Sequence, residues 1–440
     1  MQAVIMAGGK GTRLLELTKD EIPKPMVPVL GKPLLRRQIE CLRDNGINEI
    51  FIIIGHLGEK IQSYFGDGVE FGVSLKYYKE ESPLGTAGAL AQIKQLLSGE
   101  YFFLVYGDVI FDIDISLMET FHRKQKALAT LFVHPNSHPY DSDLVILSND
   151  GRVVGYDSKN NTRTDYWYEN IVNAGLYILS SDICDLIPKS GKTDLEKDIL
   201  FKHCGQHSSI YGYLSSEYIK DAGTKDRIIK VENDIKNGVV ASKNLSKPQK
   251  CVFLDRDGVL NKHVGLLHET SQLELEDTAI EAIAKLNSSE YLTIVITNQP
   301  VVARGLCDIE TVDEIHKKLQ TLLGNNHVYL DDIFFCPHHP DKGYPEENPD
   351  YKIICECRKP KSGMLKTAAA KYNIDLERSW FIGDTTVDME TGRRAAVRTI
   401  LVRTGEGGKD GKYDAIPIHI AENILDAVKY IIGGNENVSN

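Results

Sequence analysis

Cys251-Val252-Phe253-Leu254-Asp255-Arg256-Asp257-Gly258 sets four apolar residues directly in front of two acids. A short unbroken apolar run suits a strand buried on both faces, as in a parallel sheet. The acids stand two apart, and in extended chain such side chains point the same way. Two like charges held together cost free energy unless a cation lies between them, so the pair implies a divalent metal such as Mg²⁺. One carboxylate can then attack phosphorus while the other moves the proton. Two exposed aspartates of a turn would use the same residues.

Outward from this stretch, further apolar runs at 292–297, 332–335, 380–382 and 399–402 alternate with amphipathic segments. Upstream, strands are expected at 3–6, 49–54 and 101–105, and helices at 33–45, 59–65 and 87–97. Strands alternating with helices predict mostly parallel sheets covered on both faces. The expected fold class is α/β, with two Rossmann-like three-layer α/β/α domains. These are placed at 1–235 and 250–432, with a polar linker at 236–249 and a tail at 433–440. His, Pro, Asn, Asp and Tyr accumulate over 134–170, where antiparallel strands and loops forming a substrate lid are expected.

With 440 residues the chain is long enough for two or three cores. Its formal charge of -11 argues against nucleic acid or an anionic membrane as partner, because phosphate backbones demand clustered Lys and Arg. No run of about 18 apolar residues offers a membrane span. The first residues lack the basic n-region of a secretory leader and read better as a buried strand. Five of the eight cysteines are scattered (Cys41, Cys184, Cys204, Cys251, Cys307), which suggests a reducing, cytoplasmic compartment.

The first strand empties into Ala7-Gly8-Gly9-Lys10-Gly11-Thr12-Arg13. Glycines there let backbone N–H groups approach phosphate oxygens, and Arg13 could neutralise a leaving pyrophosphate. Neither the Gly-Lys-Ser/Thr ending of a P-loop nor the spacing of a dinucleotide fingerprint is present. Pro23-Lys24-Pro25 holds a lysine on stiff backbone. Leu84-Gly85-Thr86-Ala87-Gly88 is a second small-residue loop, with room for a flat base. Asp108 ends a buried strand, where parallel sheets place ligands, and Asp221-Ala222-Gly223-Thr224 offers a second carboxylate for one Mg²⁺. In this order, over about residues 1–235, these segments resemble the sugar-1-phosphate nucleotidyltransferase family. Gly31-Lys32-Pro33, Tyr64-Phe65-Gly66-Asp67-Gly68 and Phe111-Asp112-Ile113-Asp114 are most similar to mannose- and heptose-1-phosphate guanylyltransferases.

That resemblance implies attack of a sugar phosphate on the α-phosphate of an NTP, with pyrophosphate expelled. Ala7, Gly8, Gly9, Gly11, Thr12, Arg13, Lys24, Gly85, Thr86 and Gly88 would bind the nucleotide. Arg13 and Lys24 would stabilise charge, and Asp108 and Asp221 would hold Mg²⁺. Asn173 and Glu196 would face the sugar. The Glu-Lys-Pro of many relatives is missing from Gly155-Tyr156-Asp157-Ser158-Lys159, so Lys159 is the candidate to replace its lysine.

In the second half, Thr297-Asn298-Gln299 ends one strand with hydrogen-bonding groups. Arg358-Lys359-Pro360 supplies cations, and Gly383-Asp384, followed by Asp388, ends another strand with acids. The order is similar to that of haloacid dehalogenase-type phosphatases. The resemblance makes Asp255 the nucleophile and Asp257 the general acid/base. It assigns Thr297, Asn298, Arg358 and Lys359 to the phosphoryl group, and Asp255, Asp257 and Asp384 to Mg²⁺, Asp257 through its carbonyl. Cys336-Pro337-His338 and Cys355-Glu356-Cys357 give three thiolates and an imidazole, a closed tetrahedral set suited to structural Zn²⁺ in a loop over 336–357. The long gap between the two pairs resembles heptose bisphosphate phosphatases more than histidinol phosphatases. Pro300-Val301 and Thr385 depart from that pattern.

Together the resemblances imply an enzyme that removes the 7-phosphate of heptose 1,7-bisphosphate and then transfers a guanylyl group from GTP to heptose 1-phosphate. The implied partners are these small molecules, with self-association open. A different sugar, a histidinol-type substrate, or a half that only binds nucleotide sugar are the competing readings.

Overall fold

The computed structural model describes residues 1–9, 14–188, 191–343 and 345–434. Lys10, Gly11, Thr12 and Arg13, three of them expected nucleotide ligands, lie outside the described residues, as does most of the expected tail. The chain divides into two compact units. The first comprises Met1–His134, Asp143–Ser158 and Ile171–Asn244. The second comprises Leu245–Asn440 together with two short segments, Pro135–Ser142 and Lys159–Asn170.

In the first unit the strand Gln2–Ala7 lies between Glu49–Ile54 and Tyr101–Tyr106 and runs parallel to both, with Val4 opposite Phe51 on one side and Leu104 on the other. Ser74–Lys79 adds a fourth parallel strand beyond Glu49–Ile54. On the far side Val172–Ser180 pairs antiparallel with Tyr101–Tyr106, and Ala129–His134 antiparallel with Val172–Ser180. Ile210–Leu214, Leu144–Leu147 and Val153–Asp157 complete nine strands. The connections from Gln2–Ala7 and to Tyr101–Tyr106 leave in opposite directions, so the crevice at their carboxyl ends is a topological switch point. The antiparallel strands expected near 134–170 are present, but they extend this sheet instead of forming a lid. Between them, residues 135–142 and 159–170 belong to the second unit.

The expected linker is partly structured. The helix Lys225–Lys236 is followed by a short helix, Val239–Ser242, and Leu245 is already buried in the second unit's core. That unit has six strands, all parallel, in the order Asp332–Cys336, Tyr291–Asn298, Lys250–Leu254, Trp380–Gly383, Arg398–Val402, His419–Ala421. The last was not read from the sequence: it is three residues long, at an edge, with Ile420 half exposed. Two interior strands, Lys250–Leu254 and Tyr291–Asn298, are each buried along nearly their whole length, with core clusters on both faces. No helix among the described residues is long and apolar enough to cross a membrane.

Candidate active sites

At the switch point of the first unit, Gly8 is packed against Glu80 and Gly55. A Cβ there would lie 2.5 Å from the Glu80 carboxylate, and one on Gly55 would lie 2.6 Å from the Gly8 carbonyl. Gly85 has φ +82°, and a Cβ would meet the Thr193 carbonyl at 2.3 Å. Its loop is pinned to the 193–195 segment, with Thr193 N–H donating to the Leu84 carbonyl (2.9 Å) and Leu195 N–H to Thr86 Oγ1 (2.7 Å). Gly88 is buried beneath Leu84.

Lys24 forms an ion pair with Asp108. Asp221 lies opposite Val109 in the ladder of Tyr218–Asp221 with Val109–Asp112, and Ala222 N–H donates to the Asp108 carbonyl at 2.8 Å. Asp221 pairs with Arg227 and accepts from Gly223 N–H at 2.5 Å. A Cβ on Gly223 would stand 3.3 Å from Lys24 Nζ. Sequence positions 24, 108 and 221 are therefore neighbours, with two carboxylates beside one lysine. Two carboxylates plus substrate phosphate oxygens are an oxygen set that fits Mg²⁺.

Asn173 and Glu196 meet in a buried polar knot. Glu196 Oε1 accepts from Tyr177 OH (2.5 Å), Asn173 Nδ2 (3.0 Å) and Tyr106 OH (3.3 Å). Burial pushes the Glu196 carboxyl above its ordinary range. Lys159 falls in the segment Lys159–Asn170, which is grouped with the second unit. That segment is fastened downstream: Tyr168 N–H donates to Thr321 Oγ1 (3.0 Å) and Asn170 N–H to Gln320 Oε1 (2.9 Å). Glu80, Tyr106 and Tyr177 were not assigned from sequence. Glu80 did carry a signal, being an acid just past the end of a parallel strand, like Asp108.

In the second unit Asp255, Asp384 and Asp388 present carboxylate oxygens within 4.8 Å of one another, all buried. Lys359 Nζ lies 2.9 Å from Asp255 Oδ1 and 2.6 Å from Asp388 Oδ1. Burial first, then the neighbouring carboxylates, raise Asp255 to about 7, and burial with Asp255 and Asp388 raises Asp384 to about 8. Burial opposes the charge on Lys359, but Asp255 and Asp388 outweigh it and hold the ammonium form. Gly258 and Gly405 close over Asp384, where Cβ atoms would stand 2.4 and 2.1 Å from its Oδ2. Glu406 N–H donates to the same oxygen (2.8 Å).

Asp388 adds a third carboxylate beside Asp255 and Asp384, the two carboxylates assigned to Mg²⁺ from the sequence, where Asp257 was assigned through its carbonyl. The strand ends at Leu254, before either acid, so the side-chain alternation of extended chain does not extend to the pair. Asp257 is instead engaged by Arg256 Nη2 (3.0 Å to each oxygen), Asn261 Nδ2 (3.0 Å) and Gln299 Nε2 (2.9 Å). Burial raises its carboxyl, and these donors outweigh burial and hold it low. Asp388 sits in the first turn of the helix Thr386–Arg394, in a capping box with Thr385.

Thr297 is buried and accepts from Gln299 Nε2 (3.0 Å). Asn298 clamps the Lys359 backbone, accepting its N–H (3.0 Å) and donating to its carbonyl (3.1 Å). Cys336, His338, Cys355 and Cys357 converge, with sulfur–sulfur distances of 3.2 to 3.6 Å and His338 Nδ1 3.3 Å from Cys357 Sγ. Thiolates about 2.3 Å from one tetrahedral ion stand roughly 3.7 Å apart, so the set fits Zn²⁺ with modest expansion. Arg358 faces this loop, with its N–H on Cys355 Sγ (3.4 Å) and its guanidinium on the His338 carbonyl (3.0 Å).

Phosphate chemistry is thus provided for twice, and the class is that of a nucleotidyltransferase joined to a phosphatase. The chain belongs to the nucleotidyl transferase family, which matches residues 2–238, and its other half matches the HAD-hydrolase-like family over residues 356–427. It is 39% identical over 188 residues to the D-glycero-beta-D-manno-heptose-1,7-bisphosphate 7-phosphatase of Pasteurella multocida, covering 42% of this chain and 98% of that protein. It is 31% identical over 237 residues to the D-glycero-alpha-D-manno-heptose 1-phosphate guanylyltransferase of Aneurinibacillus thermoaerophilus, covering 54% of this chain and 99% of that protein. It is also 33% identical over 215 residues to a UTP–glucose-1-phosphate uridylyltransferase of Synechocystis, covering 46% of this chain and 55% of that protein.

Proposed function

We propose that the chain carries out two consecutive steps of GDP-heptose synthesis: release of the 7-phosphate from D-glycero-D-manno-heptose 1,7-bisphosphate, then guanylyl transfer from GTP to the resulting heptose 1-phosphate. The observation that carries this reading is the pairing, in one polypeptide, of sites whose relatives act on consecutive phosphates of one sugar.

In the phosphatase half, Asp255 attacks phosphorus as the bond to the sugar oxygen breaks. Asp257 gives that oxygen its proton; the incoming phosphate dianion raises the Asp257 carboxyl again, towards the protonated form. Asp257 then deprotonates a water that attacks the phosphoryl-aspartate, releasing inorganic phosphate and restoring Asp255. Lys359, Thr297 and Asn298 hold the phosphoryl group or the lysine that grips it. Mg²⁺ held by Asp255, Asp384 and Asp388 would offset the gathered negative charge, and Zn²⁺ in the cysteine loop would be structural. In the transferase half, Lys24 meets the phosphates, Asp108 and Asp221 would hold a second Mg²⁺, and Asn173 and Glu196 face the sugar.

If the first product feeds the second site, both halves must take one anomer. The guanylyltransferase relative is named for the alpha anomer and the phosphatase relative for the beta. The alpha anomer is the consistent choice, and Pro300-Val301 is where the phosphatase half departs from its resemblance. The test is the intact protein with each anomer of the bisphosphate, GTP and Mg²⁺, following phosphate, pyrophosphate and nucleotide sugar. Inert GTP alongside an active UTP, ATP, CTP or dTTP would overturn the guanylyl assignment, and the uridylyltransferase likeness makes UTP the first competitor.

A further inference from the structure

We infer that His316 and Arg256 form a positioning pair that fixes the Asp257 carboxyl for proton transfer to the leaving sugar oxygen; this rests on the phosphatase reading above. Arg256, between the two aspartates, is fully buried and heads the fully buried side chains by size among the described residues. A buried guanidinium must have every charge and donor answered. On one side Nη2 reaches both Asp257 oxygens at 3.0 Å, with Nε at 3.4 Å from Oδ1. On the other, Nη1 stands 3.2 Å from His316 Nε2. Arginine only donates, so this ring nitrogen must be the acceptor, and the imidazole is neutral with its proton on Nδ1. Burial and the facing guanidinium push His316 down to about 3, in keeping with that tautomer.

The imidazole therefore adds no charge. It sets the plane of the guanidinium, and a rigid fork in a fixed plane presents two N–H groups to one carboxylate. His316 is itself held, on the buried face of the helix Ile309–Asn325 and edge-on to Phe335 (ring centroids 5.1 Å apart). Arg256 touches the trio through its backbone alone, its N–H donating to Asp255 Oδ1 (2.7 Å), while its guanidinium is turned to Asp257 and His316, so the side-chain pair acts through Asp257.

The full-length protein is compared as wild type, His316→Leu and His316→Gln, with two substrates. Heptose 1,7-bisphosphate has an alkoxide leaving group that needs a proton, and p-nitrophenyl phosphate has a leaving group that does not. His316→Leu is expected to lower kcat on the sugar phosphate by about 10- to 100-fold with KM nearly unchanged, to lower kcat on the aryl phosphate by less than about 3-fold, and to be partly rescued by the acceptor oxygen in His316→Gln. Equal losses on both substrates, or none on either, would overturn the inference. Wild type inactive on both, or Asp255→Asn still active, would instead sink the phosphatase reading itself.

Discussion

Asp255 and Asp384 bring two carboxylates together in a place with one lysine, and burial, reinforced by the neighbouring carboxylates, raises them to about 7 and about 8. A group whose value is raised by folding favours the folded state when protonated. That contribution is complete below the ordinary carboxyl range and is lost as pH rises through about 7 and then 8. Mg²⁺ competes with those same protons. Metal-free protein should therefore melt progressively lower between pH 6 and 9, and added Mg²⁺ should restore most at the alkaline end. Titration calorimetry in buffers of different ionisation heat should register up to about two protons released per Mg²⁺ at pH 6, and fewer by pH 9. An affinity that stays flat across that range would mean that these two aspartates are not the ligands.

At the level of elements, the Cys/His loop over 336–357 is the part whose disruption should spread furthest. Cys355 and Cys357 lead straight into Arg358 and Lys359, and Asn298 clamps the Lys359 backbone from the neighbouring strand. With Zn²⁺ as the proposed occupant, a chelator, or Cys357→Ala, should lower phosphatase kcat roughly 10- to 100-fold and lower its melting temperature, with guanylyl transfer unchanged. Transfer lost in parallel would argue against a role confined to the second unit. This loop was legible because four metal-binding side chains at close spacing have few other uses, and the central strands because a buried strand must be apolar throughout. Asp388 was seen but not given its place, since a capping residue and a metal ligand look alike in one dimension. The two segments at 135–142 and 159–170 were not legible at all. Their attachment rests on fits such as Pro139 against Gly324, where a Cβ would meet its ring at 2.4 Å, and such fits leave no periodic mark.

On the scale of the whole molecule, each unit carries its own apolar core, and the proposed phosphate chemistry draws on separate side chains in each. A lesion that changes charge at one site without changing packing should therefore leave the other site at work. Asp255→Asn is nearly isosteric and keeps hydrogen-bonding groups for Lys359 and Arg256. It should remove the nucleophile, costing phosphatase activity at least ~10³-fold, while guanylyl transfer to supplied heptose 1-phosphate stays within about 2-fold of wild type. Asp108→Asn should do the converse. Neither variant alone makes nucleotide sugar from the bisphosphate, but a mixture of the two should, because one releases the 1-phosphate and the other consumes it. The intermediate must then cross from one molecule to another, so product appears after a lag that shortens as total protein is raised. A mixture that stays silent while each single activity is intact would mean that the intermediate is never freed, and that the order of the two steps is enforced within one chain.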